Sequence, residues 1–393
     1  MRRYFLGQAA NYSGGEVLKH LFTVGMPSDC ANLQRYLAKR YGGEAMLCKN
    51  GRSALCLALK AYFEPGDKVI VNGFTCYAVY EAVIAAGLKP VFVDINREDL
   101  NFDIDTLANV FRTGPAAASP TTSSKDSAGV PQAESSVRVA PRGIIIQNSL
   151  GNPVDIKKIE RFAKEHNLTI IEDLAHCTGV KYTDGRECGT VGAAAAFSFG
   201  KDKSIDTISG GAVVLRAPVK HEIAAPSHIP QLSCHLRARF YPLFGILSRG
   251  LSYVHLGGIL MRGLAKIHWV EKSADNRLDL SRRISRFEVK LALAQFKQLK
   301  RSGEPPIREF CFVKDRDAVL KELAHAGYYF DGLWYKQPVS PERYYKKVHF
   351  PEKDCPNSVY VAEHIVNLPT YYARSDLKRA RQIIEKHREE AHE

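Results

Sequence analysis

Acidic residues and lysines stand at the ends of apolar segments between residues 171 and 211 of the sequence. Asp173 ends an apolar run, and Lys201 and Lys203 follow a small-residue segment that ends near Ser198. A lysine amine can form a Schiff base with an aldehyde, and a carboxylate can keep a pyridine nitrogen protonated. Pyridoxal phosphate (PLP) chemistry requires both groups. The segment therefore predicts a PLP site in which either lysine could hold the cofactor.

The composition is that of a globular protein with a basic surface. The chain has 393 residues, 45% of them hydrophobic and 25% charged, which is enough for one large domain and a smaller one. A formal net charge of +13 can attract nucleic acid, anionic lipid or anionic small molecules. No zinc-finger spacing and no interleaved aromatic and basic pattern accompanies the charge, so we expect no nucleic-acid partner.

Cysteine usage and hydropathy predict a cytoplasmic location. The nine cysteines are scattered, odd in number and never spaced as CxxC, which argues against a disulfide framework and a structural zinc site. The basic N-terminus lacks an apolar core long enough for a signal peptide. No apolar run approaches the roughly 18 residues that span a bilayer. We therefore expect a cytoplasmic protein without a metal site.

Helix-like and strand-like segments alternate from about residue 30 to residue 215. We predict strands at 68–71, 90–94, 143–147, 168–172, 194–199 and 212–215, and helices at 32–40, 53–62, 77–86 and 156–166. This alternation predicts an α/β fold with a mainly parallel sheet covered by helices on both faces. Ligands of such sheets bind beyond the carboxyl ends of the strands, where Asp173 and the two lysines fall.

Composition also divides the chain. Residues 113–142 are rich in Ala, Ser, Thr and Pro without an apolar period, which predicts a disordered surface insertion. Residues 286–299 have the pattern of an amphipathic helix. The predicted divisions are an N-terminal segment at 1–30, a large PLP-binding domain at 31–215, a basic apolar helical insertion at 216–280 and a small C-terminal domain at 281–393.

The insertion has an unusual charge pattern. No acidic residue lies between Glu222 and Glu271, whereas five Lys or Arg residues and many aromatic and aliphatic residues do. Such a mixture is typical of amphipathic elements at a membrane interface, and it predicts peripheral membrane contact through residues 235–270. The alternative, which we favour at this stage, is that these helices pack on the protein's own core or in a dimer interface.

Six stretches of the sequence share motifs and order with one known family. They are NGRSALCLAL, PGDKVIVNGFTCYAVYEAV, GLKPVFVDINREDLNFDIDTL, the region from IIEDLAHCTG through DGRECGTVG to AFSFGKDKSIDTISGG, LALAQFKQL and CPNSVYVAEHIVNLPTYY. Together they resemble the DegT/StrS family of PLP-dependent sugar aminotransferases. The resemblance implies the aspartate aminotransferase fold, PLP-dependent fold type I. That fold has a sheet of the seven-stranded type between helices and a smaller α+β C-terminal domain.

The resemblance also assigns the catalytic residues. The family places its lysine five residues after the Ser of a Ser-Phe pair and eight before the second Gly of a Gly-Gly pair. Counting from Ser198 and from Gly211 both gives Lys203, which leaves Lys201 as a neighbour. The freed Lys203 amine would move a proton between the cofactor and the substrate carbon. Asp173 is expected to pair with the pyridine nitrogen, the alternative being a helix cap.

Other residues are expected to bind the rest of the cofactor. Gly51, Arg52 and Ser53 open a predicted helix, and a helix N-terminus offers N–H groups and a positive dipole end to a phosphate. The resemblance adds the Ser198 hydroxyl. It also places His176 near the ring oxygen. The alternatives are an ordinary helix start and a buried, hydrogen-bonded histidine.

Three departures from the family pattern leave the substrate open. Cys76 occupies the position of the aromatic that usually stacks on the cofactor, so either Tyr77 stacks or the pocket is less aromatic. Ser281 stands where many relatives have an asparagine that reaches a phosphate across the dimer interface. Residues 147–153 lack the usual histidine-containing turn.

The resulting hypothesis is a homodimeric aminotransferase of cell-surface polysaccharide or amino-sugar biosynthesis. By family resemblance, L-glutamate would donate the amino group and a keto-sugar, expected to be nucleotide-linked, would accept it. A PLP-dependent dehydratase is the first alternative, although relatives that dehydrate carry His in place of the lysine. A non-catalytic PLP-binding or membrane-associated protein is the second.

Overall fold

The computed structural model describes most of the chain. The described residues are 4–6, 12–112, 140–254, 256–270, 277–300, 302–330 and 333–388. Residues 113–139, which make up most of the predicted disordered insertion, lie outside this part. No helix within the described ranges is long and apolar enough to cross a bilayer.

A seven-stranded sheet forms the centre of the fold and confirms the predicted α/β class. Its strands are β2 Glu44–Cys48, β3 Lys68–Asn72, β5 Lys89–Val93, β6 Gly143–Ile146, β7 Thr169–Asp173, β8 Ala194–Ser198 and β9 Gly211–Leu215. Their spatial order is β2-β9-β8-β7-β6-β3-β5. Only β9 runs antiparallel to its neighbours, so β7 and β8 end at the same edge.

Helices cover both faces of this sheet. They are α2 Pro27–Tyr41, α3 Gly51–Tyr62, α4 Tyr77–Ala85, α5 Ile104–Arg112, α6 Ile156–Glu165 and α9 Arg286–Gln298. One core joins α3 and α4 to the sheet, and a second joins α2, α5, α6 and α9 to the opposite face. Successive residues of a strand pack in the two cores alternately: Ile145 faces the first, while Ile144 and Ile146 face the second.

The C-terminal part packs shorter elements around its own core. They are β10 Arg308–Phe312, α10 Arg316–His325, β11 Tyr328–Tyr329, β12 Val339–Ser340, α11 Glu342–Val348, α12 Pro356–His364, β13 Ile365–Pro369 and α13 Lys378–Lys386. β10 pairs with β13, and β11 pairs with β1 at Tyr4–Phe5. β12 pairs with β4 at Thr75–Cys76, which attaches this part to the large sheet's helical layer. The predicted domain boundaries themselves stay predictions.

The basic apolar segment forms two helices. They are α7 Leu232–Ser252 and α8 Gly257–Lys266, and α7 also packs on α1 Gly14–Phe22. Tyr241 of α7 is buried with Phe287 and Leu291 of α9 in a separate small core. The inner faces of these helices therefore pack on the protein itself, which is the first part of the alternative that we favoured.

A buried carboxylate joins the end of β7 to the segment that leads into β8. Glu172 is fully buried and accepts hydrogen bonds from the backbone N–H groups of Gly189 and Gly192 and from the Tyr182 hydroxyl. A fourth bond comes from the Val191 N–H. Because successive strand residues face opposite ways, this anchoring directs the neighbouring Asp173 into the space above the edge.

We predict that Glu172→Gln destabilises the protein by about 2–3 kcal/mol, because the amide NH₂ would face donors that need an acceptor. Urea unfolding of the cofactor-free protein measures the change. Glu165→Gln, at an exposed end of α6, is the matched control. Equal unfolding free energies for the two variants would contradict the structural role of Glu172.

Candidate active site

One cavity brings most of the predicted site residues together. It has a volume of about 1090 Å³ and lies at the carboxyl edge of the sheet. The predicted residues that line it are Gly51, Arg52, Tyr77, Asp173, His176, Ser198 and Lys203. Ser53 and Ser281 are not among its lining residues.

The two candidate lysines point to different walls. The Nζ atom of Lys203 lies 4.4 Å from the centre of the Trp334 ring, and that of Lys201 lies 3.9 Å from the centre of the Tyr241 ring. Asp202 between them adopts a left-handed conformation with φ of 61°, which turns the chain. Burial lowers the pKa of Lys203, and the Asp173 carboxylate acts against this effect. The charges of Lys203 and Asp173 therefore influence each other, whereas the Lys201 amine lies against Tyr241.

Asp173 is an acid held in a poorly solvated position. Burial raises its pKa to about 6, against the opposing effects of the Ala175 N–H and the Lys203 ammonium. The Ala175 N–H donates to Oδ1 at 3.0 Å, which is the short-range bond expected of a capping aspartate. This contact uses one carboxylate oxygen, and Asp173 still lines the cavity. The capping and cofactor-binding interpretations are therefore compatible.

His176 is a neutral, oriented imidazole. The Leu150 N–H donates to Nδ1 at 3.1 Å, so the proton of the neutral ring lies on Nε2, 3.4 Å from the Tyr335 hydroxyl oxygen. Burial lowers the His176 pKa well below its usual value, and the nearby cations Lys203 and Arg308 lower it further. The loop at 147–153, which departs from the family pattern, thus supplies the N–H that orients this histidine.

The N-terminus of α3 forms one end of the cavity. Asn50 caps the helix by accepting from the Ser53 N–H at 2.8 Å. A Cβ atom on Gly51 would lie 2.6 Å from the Ser198 Cβ, so glycine alone permits this close approach of helix and strand. The Ser198 side chain and the first turn of α3 consequently line the same end of the cavity.

Several predicted cofactor contacts are engaged elsewhere. Arg52 forms an ion pair of 2.6 Å with Glu81. The Ser53 hydroxyl is buried and accepts from the Asp279 N–H at 3.0 Å. Tyr77 stacks on Tyr344, with ring centres 4.2 Å apart.

Ser281 is exposed and lies outside the cavity lining. Its hydroxyl donates to the Asp279 carboxylate at 2.8 Å. The predicted roles of Arg52, Ser53, Tyr77 and Ser281 toward the cofactor stay predictions.

Two residues near Lys203, Trp334 and Arg308, were missed from the sequence. Trp334 stacks on His176 at 4.9 Å, and the Arg308 guanidinium lies 4.4 Å from the Trp334 ring centre. Arg308 is buried and donates to the Asn367 Oδ1 at 3.1 Å, while its Nη2 has no hydrogen-bond partner among the described residues. These side chains come from the C-terminal part, and no motif in the sequence indicated that they would meet Lys203.

Helices α7 and α8 also contribute to the cavity wall. Arg237 and Tyr241 of α7 line it, as do His268 and Trp269, which follow α8. Among the described lining residues, nine are lysine or arginine and three are acidic. The basic apolar segment is therefore part of the site, which its composition alone did not reveal.

The residues fit PLP. The cavity combines a lysine, a buried acid for a pyridine nitrogen and a glycine-opened helix N-terminus next to a serine for a phosphate. The excess of cations suits a dianionic ligand.

We predict that Asp173→Asn stabilises the cofactor-free protein more at about pH 8 than at about pH 4. Because the folded-state pKa is raised, the native protein retains a proton that the unfolded chain has lost. The wild type therefore loses stability as the pH rises from about 4 to about 6.

Asparagine cannot ionise and avoids this loss, so the expected gain at high pH is about 1–3 kcal/mol. Urea unfolding at both pH values measures it. Asp105→Asn, which removes an exposed carboxylate, is the control. A gain for Asp173→Asn that does not change with pH would contradict the buried-acid assignment.

Comparison with known proteins finds relatives that match part of the chain. Curated relatives include a pleiotropic regulatory protein of Geobacillus stearothermophilus, 32% identical over 47% of this chain and 42% of its own length. Another is UDP-N-acetyl-3-dehydro-alpha-D-glucosamine 3-aminotransferase of Acidithiobacillus ferrooxidans, 34% identical over 44% of this chain and 40% of its own. The similarity thus spans less than half the length of these relatives.

Solved structures share the fold over the whole chain. The crystal structure of S. venezuelae DesV superposes with a TM-score of 0.65 at 19% identity and covers 99% of this chain and 100% of its own. In sequence, the model of the DegT/DnrJ/EryC1/StrS aminotransferase family matches residues 30–235, which is more than half of the chain and includes Asp173 and Lys203. The chain belongs to the DegT/DnrJ/EryC1/StrS aminotransferase family.

Proposed function

We propose that this protein is a PLP-dependent aminotransferase that moves the amino group of L-glutamate to a keto-sugar carrying phosphate. The observation that carries the proposal is the meeting of Lys203 and Asp173 in a cavity that also contains a helix N-terminus. Membership of the aminotransferase family supports it. The net reaction converts glutamate and keto-sugar into 2-oxoglutarate and amino-sugar.

The side chains present suit proton transfer at a substrate carbon. Bound PLP supplies an electron sink that stabilises negative charge on that carbon. The Lys203 amine would carry a proton between the donor carbon and the C4′ carbon of the cofactor, and its lowered pKa favours the neutral amine that this step needs. Asp173 would keep the pyridine nitrogen protonated. His176, fixed by Leu150 and Tyr335, presents an oriented ring beside them.

The charge of the cavity supports a phosphate-bearing acceptor. Arg237, Arg277, Arg282, Arg283 and Arg343 line it in addition to the residues expected to hold the cofactor. Such a cluster favours a diphosphate, as in a nucleotide-linked sugar. The name of the Acidithiobacillus relative, a UDP-sugar aminotransferase, is consistent with this class.

A homodimer is part of the proposal. Ser281 occupies the position from which the family reaches a phosphate across a dimer interface, and here it is exposed and outside its own chain's cavity. That placement is expected if Ser281 serves the partner's site.

We predict that Lys203→Ala abolishes the near-visible absorption of the PLP-bound protein, because no amine remains to hold the aldehyde. Borohydride reduction followed by peptide mass spectrometry identifies the modified lysine. Lys201→Ala is the matched variant and is expected to retain the band. A band that survives in Lys203→Ala and disappears in Lys201→Ala would overturn the assignment.

We also predict that L-glutamate alone changes the cofactor spectrum and releases 2-oxoglutarate in a single turnover. A panel of nucleotide-linked keto-sugars then identifies the acceptor by mass spectrometry. The product differs in mass from the ketone because an amino group and a hydrogen replace the keto oxygen. Release of 2-oxoglutarate without any aminated product would reject this acceptor class and retain the aminotransferase chemistry.

Arg237→Gln separates acceptor binding from donor chemistry within the same assay. It should raise the acceptor KM about tenfold through loss of a charged hydrogen bond and leave the glutamate half-reaction unchanged. Arg286→Gln, at an exposed position outside the cavity lining, is the control.

A further inference from the structure

Helix α8 presents an outward face that is both apolar and basic. Ile259, Arg262 and Lys266 are exposed and recur at the spacing of one helix face, and Ile267, directly after the helix, is exposed as well. Ile259 is 56% exposed and Ile267 is 63% exposed. This part of the surface therefore combines large exposed aliphatic side chains with two cations.

The C-terminal end of α7 and the turn after it extend this surface. Leu247 and Leu251, one turn apart, are exposed, and so are Tyr253 and Val254. α7 and α8 pack against each other through a close contact in which the Ser248 hydroxyl donates to the Gly257 carbonyl at 3.1 Å. We call these exposed residues of α7, α8 and the intervening turn the α7–α8 outer surface.

The residues of this surface do not take part in the protein's own core. The inner faces of the two helices are already used: Tyr241 packs beside Phe287, with Met261 of α8 against the same cluster. Arg239 is also engaged inward, through its bond to the Thr23 carbonyl at 2.9 Å. The aliphatic residues of the α7–α8 outer surface therefore leave apolar area exposed to solvent. Contiguous exposed apolar area marks an interaction site.

The positive charge of the α7–α8 outer surface distinguishes between the partners that could cover this surface. The sequence has no acidic residue from 223 to 270, so α7, α8 and the turn between them contribute cations and no carboxylate to this surface. A two-fold dimer through this patch would place it against itself and bring Arg262 and Lys266 toward like charges. An anionic lipid surface instead satisfies the cations and takes up the aliphatic side chains.

We propose that the α7–α8 outer surface docks the protein onto an anionic lipid bilayer. No described helix is able to span a bilayer, so the helices lie in the interface with Leu247, Leu251, Ile259 and Ile267 inserted among the acyl chains. Because the same helices form a wall of the cavity, docking holds that wall close to the membrane. The proposal does not depend on the reaction.

Vesicle sedimentation tests this with the full-length, PLP-loaded protein. The wild type is expected to sediment with vesicles of equal parts phosphatidylcholine and phosphatidylglycerol, and not with pure phosphatidylcholine. Arg262→Gln with Lys266→Gln should weaken binding about 25-fold, at about fivefold per cation near an anionic surface. Ile259→Ser with Ile267→Ser should weaken it at least about tenfold through lost apolar burial.

Matched controls remove the same groups from another surface. Lys157→Gln with Lys164→Gln removes two exposed cations of α6, and Ile84→Ser removes an isoleucine that is 47% exposed on α4. Both controls should bind vesicles like the wild type. The near-visible absorption and the urea midpoint establish that each variant is folded, and light scattering reports its oligomeric state.

Three outcomes would overturn the proposal. They are absence of sedimentation with anionic vesicles at low salt, equal losses in the control and outer-surface variants, and dissociation of a dimer by Ile259→Ser with Ile267→Ser while vesicle binding is retained. The last result would assign the surface to a second copy of the chain.

Discussion

The buried carboxylate of Glu172 is the interaction on which the geometry of the site depends. Four hydrogen bonds connect it to the Tyr182 hydroxyl and to three backbone N–H groups of the segment that precedes β8. This arrangement fixes the end of β7 relative to the segment that leads into β8. Asp173 comes from the first of these strands, and the segment with Lys203 follows the second. A carboxylate buried without hydrogen-bond partners would destabilise the folded protein, and these four bonds together satisfy it.

The small C-terminal elements complete a site that the large sheet only begins. Pairing of β12 with β4 places the segment around Trp334 and Tyr335 over the carboxyl edge. Trp334 contacts His176, Lys203 and Arg308 at once. The lysine amine thus lies near an aromatic ring that a buried arginine also contacts. This environment lowers the pKa of the amine by burial.

The basic apolar segment has two distinct faces. Its inward residues, Arg237 and Tyr241 among them, belong to the cavity and to a small core with Phe287. Its outward residues are exposed aliphatics and cations. Two faces with different chemistry explain why the composition supported both a packed element and a membrane element. In this arrangement, packing and the proposed docking use different side chains of the same helices.

The sequence by itself predicted PLP chemistry and most of a mainly parallel sheet. The acid at the end of an apolar run, the two lysines that follow the next apolar run and the short all-apolar strands are local signals, and each depends on residues adjacent in the chain. The choice of Lys203 over Lys201 came from the resemblance to the family. The tertiary structure decided which groups meet across long separations. Arg308 and Trp334 are more than a hundred residues from Lys203, and the partners of Ser53 and Tyr77 lie at Asp279 and Tyr344. Such contacts follow from how elements pack, and no local pattern encodes them.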